Sequence, residues 1–121
     1  MITLTQFYEC AGGNADETLV RLGINEDIIK KFLKKFLSDS SFHTLEQTLD
    51  LGDLNTAFRM AHSLKGLSAN LGLQNLFSKA SEVTEYLRAG NTAQAKNSMP
   101  GLKTEYINTS TLIADLCQDS N

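Results

Sequence analysis

Between Leu54 and Leu71 the residues Leu54, Ala57, Ala61, Leu64, Ser68 and Leu71 recur at helical spacing. At 100° per residue they fall within about 100° of arc, which predicts a helix with one buried stripe, stopped by Gly72. The same period governs the rest of the chain. Ile28, Ile29, Phe32, Leu33, Phe36 and Leu37 give a broad apolar face after Asn25, and Phe42, Leu45, Leu49 and Leu51 mark a helix ending at Gly52. Leu76, Phe77, Ala80, Val83 and Leu87 mark another, from about Gln74 to Ala89, ending at Gly90. No run alternates apolar and polar as a half-buried strand would.

Punctuation divides these helices, because glycine accepts the left-handed conformation past a helix end and Asn, Asp or Ser caps the next start. A short helix from about Thr3 to Cys10 ends at Gly12 and Gly13, and Asn14 opens a second with Glu17 three residues on. Gly23 closes it and Asn25 opens the next, with Glu26 and Asp27 suited to its positive end. The Ser38 to Ser41 stretch predicts a break, and Asp53 caps the helix that follows Gly52. Asn91 starts a weaker helical stretch, which Pro100 and Gly101 are expected to split or kink before a last helix through Leu102, Tyr106, Ile113 and Leu116. The expected fold is all-α. Short links between amphipathic helices make neighbours antiparallel, which predicts an up-and-down four-helix bundle over residues 25–118 with short capping helices over residues 1–24.

With 121 residues, 41 % apolar and 21 % charged, the chain has the size and composition of one globular domain, residues 1–121. A formal charge of −3 leaves no basic field for a nucleic-acid backbone. The N-terminal MITLTQFYECAGG has no basic leader region, and no segment reaches ~18 uninterrupted apolar residues, so neither export nor a membrane span is expected. Cys10 and Cys117 stand near opposite ends without chelating spacing, which fits reduced thiols in the cytoplasm better than zinc or a disulfide framework. The start at Met1 and the polar ending from Cys117 to Asn121 suit a stand-alone module, with a monomer as the default.

The chemistry concentrates in Ala61-His62-Ser63-Leu64-Lys65-Gly66-Leu67-Ser68-Ala69-Asn70-Leu71-Gly72. His62, Gly66 and Ala69 point roughly 105° to 145° away from the centre of the core stripe, as one outward patch. An imidazole is thus flanked one and two turns on by the two smallest side chains. Glycine at a helix-interior position costs ~1 kcal/mol relative to alanine, so something gains from the bare surface at Gly66. A partner bringing a phosphorylated group in line with the imidazole needs that clearance. Lys65, on the inner border of the patch, offers an ammonium to phosphoryl oxygens. Phosphoryl transfer depends chiefly on positioning and charge neutralisation, so this simple site suffices if the partner supplies the metal and its acidic cluster. Phe58, one turn before His62, is a candidate rim of the docking surface.

His-x-Leu-Lys-Gly followed by Leu-Gly resembles the signature of histidine phosphotransfer (HPt) domains of two-component phosphorelays. The likeness extends through Phe32-Leu33-Lys34-Lys35-Phe36-Leu37, the Gly52-Asp53 turn and the helix after Gly72, about Asn25 to Gly90. It implies that His62 is the phosphoacceptor, Lys65 its electrostatic support, Gly66 the clearance residue and Gly72 the turn that aligns the next helix. It also implies exchange with the aspartate of a response-regulator receiver domain or with a sensor histidine kinase. No cofactor is expected in this chain, with Mg²⁺ expected on the receiver. Leu67 follows the glycine where a small residue is frequent in the family, and Thr84 stands where some relatives place a glutamine near the histidine.

No phosphate loop or kinase signature occurs, so the chain is expected to be a phosphorelay intermediate and not an enzyme with its own nucleotide site. His43 has no partner pattern and is expected to be an ordinary surface residue. His62 has no His or Cys one turn away, so no metal site is expected. Lys30, Lys31, Lys34 and Lys35 interleave with apolar positions as a solvated face does. Two other readings stay open: a helical adaptor that binds receiver-like partners through the Gly66 face without being phosphorylated, and a segment of a larger signalling kinase.

Overall fold

Side-chain caps begin most of the helices at the residues the sequence marks. Thr3 forms a reciprocal capping box with Gln6, while Asn14, Asn25, Asp53 and Asn91 each accept from a backbone N–H three residues on. The computed structural model describes residues 1–118. Asp119 to Asn121, part of the polar ending, lie outside the described residues. In chain order the helices are α1 (Leu4–Ala11), α2 (Ala15–Leu22), α3 (Glu26–Phe36), α4 (Ser41–Leu51), α5 (Leu54–Asn70), α6 (Gln74–Arg88) and α7 (Thr92–Leu116), with no strand among the described residues.

The core runs along α5 and α6. α5 lies against α4 on one side and α6 on the other, and α6 packs along α7. Ala57, Ala61, Leu64 and Ser68 of α5, with Leu71 just past its end, are buried together with Leu45 and Leu49 of α4 and Leu76, Ala80 and Val83 of α6. α1 adds Leu4, Phe7, Tyr8 and Ala11 to the same core, Phe7 and Tyr8 meeting edge to face at 5.0 Å. The buried hydroxyls of Ser68 and Thr84 donate to the carbonyls of Leu64 and Ala80 in their own helices, each at 2.7 Å, so neither is left unsatisfied.

The apolar pattern overstates burial at four positions, most of all at Leu51, which is 82 % exposed. Leu54 is 39 % exposed, and on α3 Phe32 and Leu37 are 43 % and 39 % exposed. Only Ile29, Leu33 and Phe36 of α3 are fully inside, because a lone helix face narrower than its apolar arc meets the core along one ridge.

Pro100 does not split the last helix. α7 runs unbroken from Thr92 to Leu116, although proline removes one backbone donor from the helical ladder. Its buried residues explain the continuity: Ala95, Leu102, Tyr106, Thr109, Ile113 and Leu116 keep helical spacing across the proline. Pro100 itself is exposed, so its ring meets water while the opposite face stays packed.

Candidate functional site

The outward face of α5 carries the residues singled out from sequence. His62, Gly66 and Ala69 are all exposed, while the neighbouring Ala61, Leu64 and Ser68 are buried. Gly66 has an ordinary helical backbone, and a Cβ built there meets nothing within 4 Å. Neither backbone conformation nor packing within the chain therefore requires glycine at this position.

Phe58, half-buried, lies one turn before His62, and the two rings are nearly parallel, with centroids 6.0 Å apart and 16° between planes. The Arg88 guanidinium of α6 sits 5.1 Å from the centroid of the Phe58 ring. Arg88 Nε also donates to both carboxylate oxygens of Glu85, at 3.1 and 3.3 Å. Lys65 Nζ reaches the same carboxylate across the helix pair, 3.6 Å from Glu85 Oε2. The hydrogen bond from Arg88, joined by the charges of Arg88 and Lys65, holds the Glu85 carboxyl below the usual range. One anion, Glu85, thus contacts two cations drawn from two helices, and one of them, Arg88, lies over the ring that stacks beside His62.

Sequence reasoning did not find Glu85 or Arg88. Their spacing of three residues shows that they can pair with each other. That Glu85 faces Lys65 is decided by how α6 seats on α5, which no local pattern encodes. Thr84, the position next to Glu85, is turned into the core with its hydroxyl bound to the Ala80 carbonyl, so it offers nothing at the His62 surface. Leu67 is turned away from His62 and lines a groove between α3 and α5 with Phe32, Phe36 and Leu71.

The C-terminal end of α5 is clamped from α1 and α2. Tyr8 donates its hydroxyl to the Leu71 carbonyl at 2.7 Å, and Arg21 donates to the Asn70 carbonyl at 2.8 Å, satisfying acceptors that a helix end leaves open. Burial pushes the Tyr8 phenol up to about 12. Gly72 turns the chain with φ of 73°, and a Cβ there would run into Thr18 Oγ1; one on Gly13 would strike the Gly72 carbonyl oxygen. Two backbones approach each other here, fixing where α6 starts relative to the His62 helix.

His43 stands apart from this face, on α4, with its ring edge-on to Phe42 and Tyr106 at 5.6 and 5.8 Å. Lys30 pairs with Glu26 at 3.2 Å on the solvent side of α3. Among the described residues no helix is long and apolar enough to cross a membrane.

The Hpt domain family model matches residues 31–118, from the second half of α3 through α7. No curated protein and no solved structure matches the chain. The matched span contains α5, its exposed His62-Lys65-Gly66 face and the α6 residues opposite it, in an all-helical fold. The chain belongs to the Hpt domain family, the phosphotransfer intermediates of two-component signalling.

Proposed function

We propose that His62 carries the phosphoryl group and exchanges it with the aspartate of a response-regulator receiver domain or with a sensor histidine kinase. The observation that carries this reading is the pairing of an exposed imidazole with a glycine one turn on whose Cβ position is open space. A helix keeps glycine at such a position against a cost of ~1 kcal/mol when the demand comes from outside the chain. A partner surface pressed against the helix backbone is that demand.

In the transfer step a lone pair on a neutral imidazole nitrogen attacks the phosphorus of the receiver's aspartyl phosphate. The P–N bond forms as the acyl P–O bond breaks, its electron pair leaving with the aspartate carboxylate, while the other ring nitrogen keeps its proton. The reverse step returns the group. Lys65 supplies positive charge to the phosphoryl oxygens, and Phe58 with Ala69 forms the rim on which the partner settles. Mg²⁺ belongs to the receiver, and this chain brings no cofactor. We read the chain as one domain, residues 1–24 capping an antiparallel up-and-down four-helix bundle over 25–118, acting as a cytoplasmic monomer.

The test is incubation of a Mg²⁺-loaded, acyl-phosphorylated receiver with the wild-type chain and with His62→Gln. Acid-labile label on the wild type alone supports the reading. Receiver binding by both chains with label on neither points to an adaptor that docks through the Gly66 face.

A further inference from the structure

Lys65 is already engaged before any phosphoryl group arrives. Its ammonium lies 3.6 Å from Glu85 Oε2, and the same carboxylate accepts from Arg88 Nε at 3.1 and 3.3 Å. Arg88 is in turn placed over Phe58, whose ring parallels His62. Glu85 therefore touches both Lys65 and Arg88.

We infer that Glu85 is a positioning residue for phosphoryl exchange: it holds Lys65 in reserve on the α6 side and yields it to the phosphoryl oxygens when they arrive. The inference rests on His62 being the acceptor. The swap is favourable in one direction because a phosphoryl group brings a charge of about −1.5 to −2 and three acceptor oxygens against the single charge of a carboxylate. It is readily reversed because Glu85 is not stranded when Lys65 leaves; Arg88 still neutralises it through both oxygens. A partly exposed ammonium–carboxylate pair is weak, so little free energy ties Lys65 to Glu85. A carrier that must both take and give a phosphoryl group needs that balance. Lys65 held by nothing would favour the phosphorylated state too strongly.

The experiment uses phosphoramidate as donor, which removes any dependence on a cognate partner. The His62 nitrogen attacks its phosphorus, the P–N bond to the donor nitrogen breaks, and ammonia leaves with the electron pair. Labelling rate is followed by intact mass in wild type, Glu85→Gln, Lys65→Ala and the double variant, with far-UV circular dichroism as a check on the exposed substitution. Glu85→Gln is expected to accelerate labelling roughly two- to fivefold, the range spanned by an exposed ion pair. The same change in the Lys65→Ala background is expected to have no effect, because the carboxylate acts through Lys65. A merely structural role would not depend on Lys65. Unchanged or slower labelling of Glu85→Gln overturns the inference, as does equal acceleration in both backgrounds. If wild type takes no label, or His62→Gln takes as much, the assignment of His62 itself fails.

Discussion

The imidazole of His62 lies parallel to the ring of Phe58, 16° between their planes and 6.0 Å between centroids, on consecutive turns of α5. An exposed side chain otherwise samples several rotamers, so this contact, with Arg88 above the same Phe58 ring at 5.1 Å, restricts where the ring nitrogens of His62 point. Phe58→Leu keeps an apolar residue but removes the ring contact, worth about 0.5–1.5 kcal/mol. Single-turnover transfer from a phosphorylated receiver is expected to slow by roughly two- to tenfold, the equivalent in rate. Equal rates for the two chains would show that the stacking does not orient the imidazole.

The clearance proposed at Gly66 predicts opposite effects of substitution on stability and on transfer. The open space around its Cβ position means that Gly66→Ala should stabilise the fold by about 1 kcal/mol in urea denaturation, through helix propensity alone. Gly66→Gln should keep the helical circular dichroism signal yet weaken receiver binding and transfer, because its side chain stands where the partner approaches. A Gly66→Gln chain that transfers as fast as wild type contradicts the clearance argument.

Tyr8 gives the fold a distinct alkaline limit. Burial raises the phenol from 10.0 to about 12, so the protonated form is favoured in the folded chain. That contribution is complete below the unfolded value near pH 10 and is lost as pH climbs through about 12, for a total of about 3 kcal/mol. At neutral pH, Tyr8→Phe is expected to cost about 1–2 kcal/mol, because the Leu71 carbonyl loses its buried donor. Urea midpoints taken from pH 8 to pH 12 should therefore converge for the two chains as the wild type weakens, and meet or cross near pH 12. A gap that stays constant across this range excludes Tyr8 as the titrating group.

Helix ends were the most legible feature of the sequence, because a cap is a contact between residues three or four apart. Asn14, Asn25, Asp53 and Asn91 cap as their positions indicate, and Gly12, Gly23, Gly52 and Gly90 all take positive φ. The outward patch of His62, Gly66 and Ala69 was legible for the same reason, since it occupies one face of one helix. The sequence left a split or a kink at Pro100 open, and the split does not occur because the packing of α7 on α6 maintains one helix across the proline. Glu85 and Arg88 were missed because their meeting with Lys65 and Phe58 depends on the seating of α6 against α5. The exposed Phe32 shows the converse limit: an apolar side chain announces surface that prefers cover, without saying whether this chain supplies it.

The chain contains two histidines, His43 and His62, so the central claim can be read at atomic resolution. The most direct measurement is a long-range ¹H–¹⁵N spectrum of the imidazoles before and after phosphorylation with phosphoramidate. A new phosphorus-bonded nitrogen on His62, with the His43 ring unchanged and the signal absent in His62→Gln, is the predicted result. Phosphorus bound at His43, or acid-stable label elsewhere with His62 unmodified, would contradict the account.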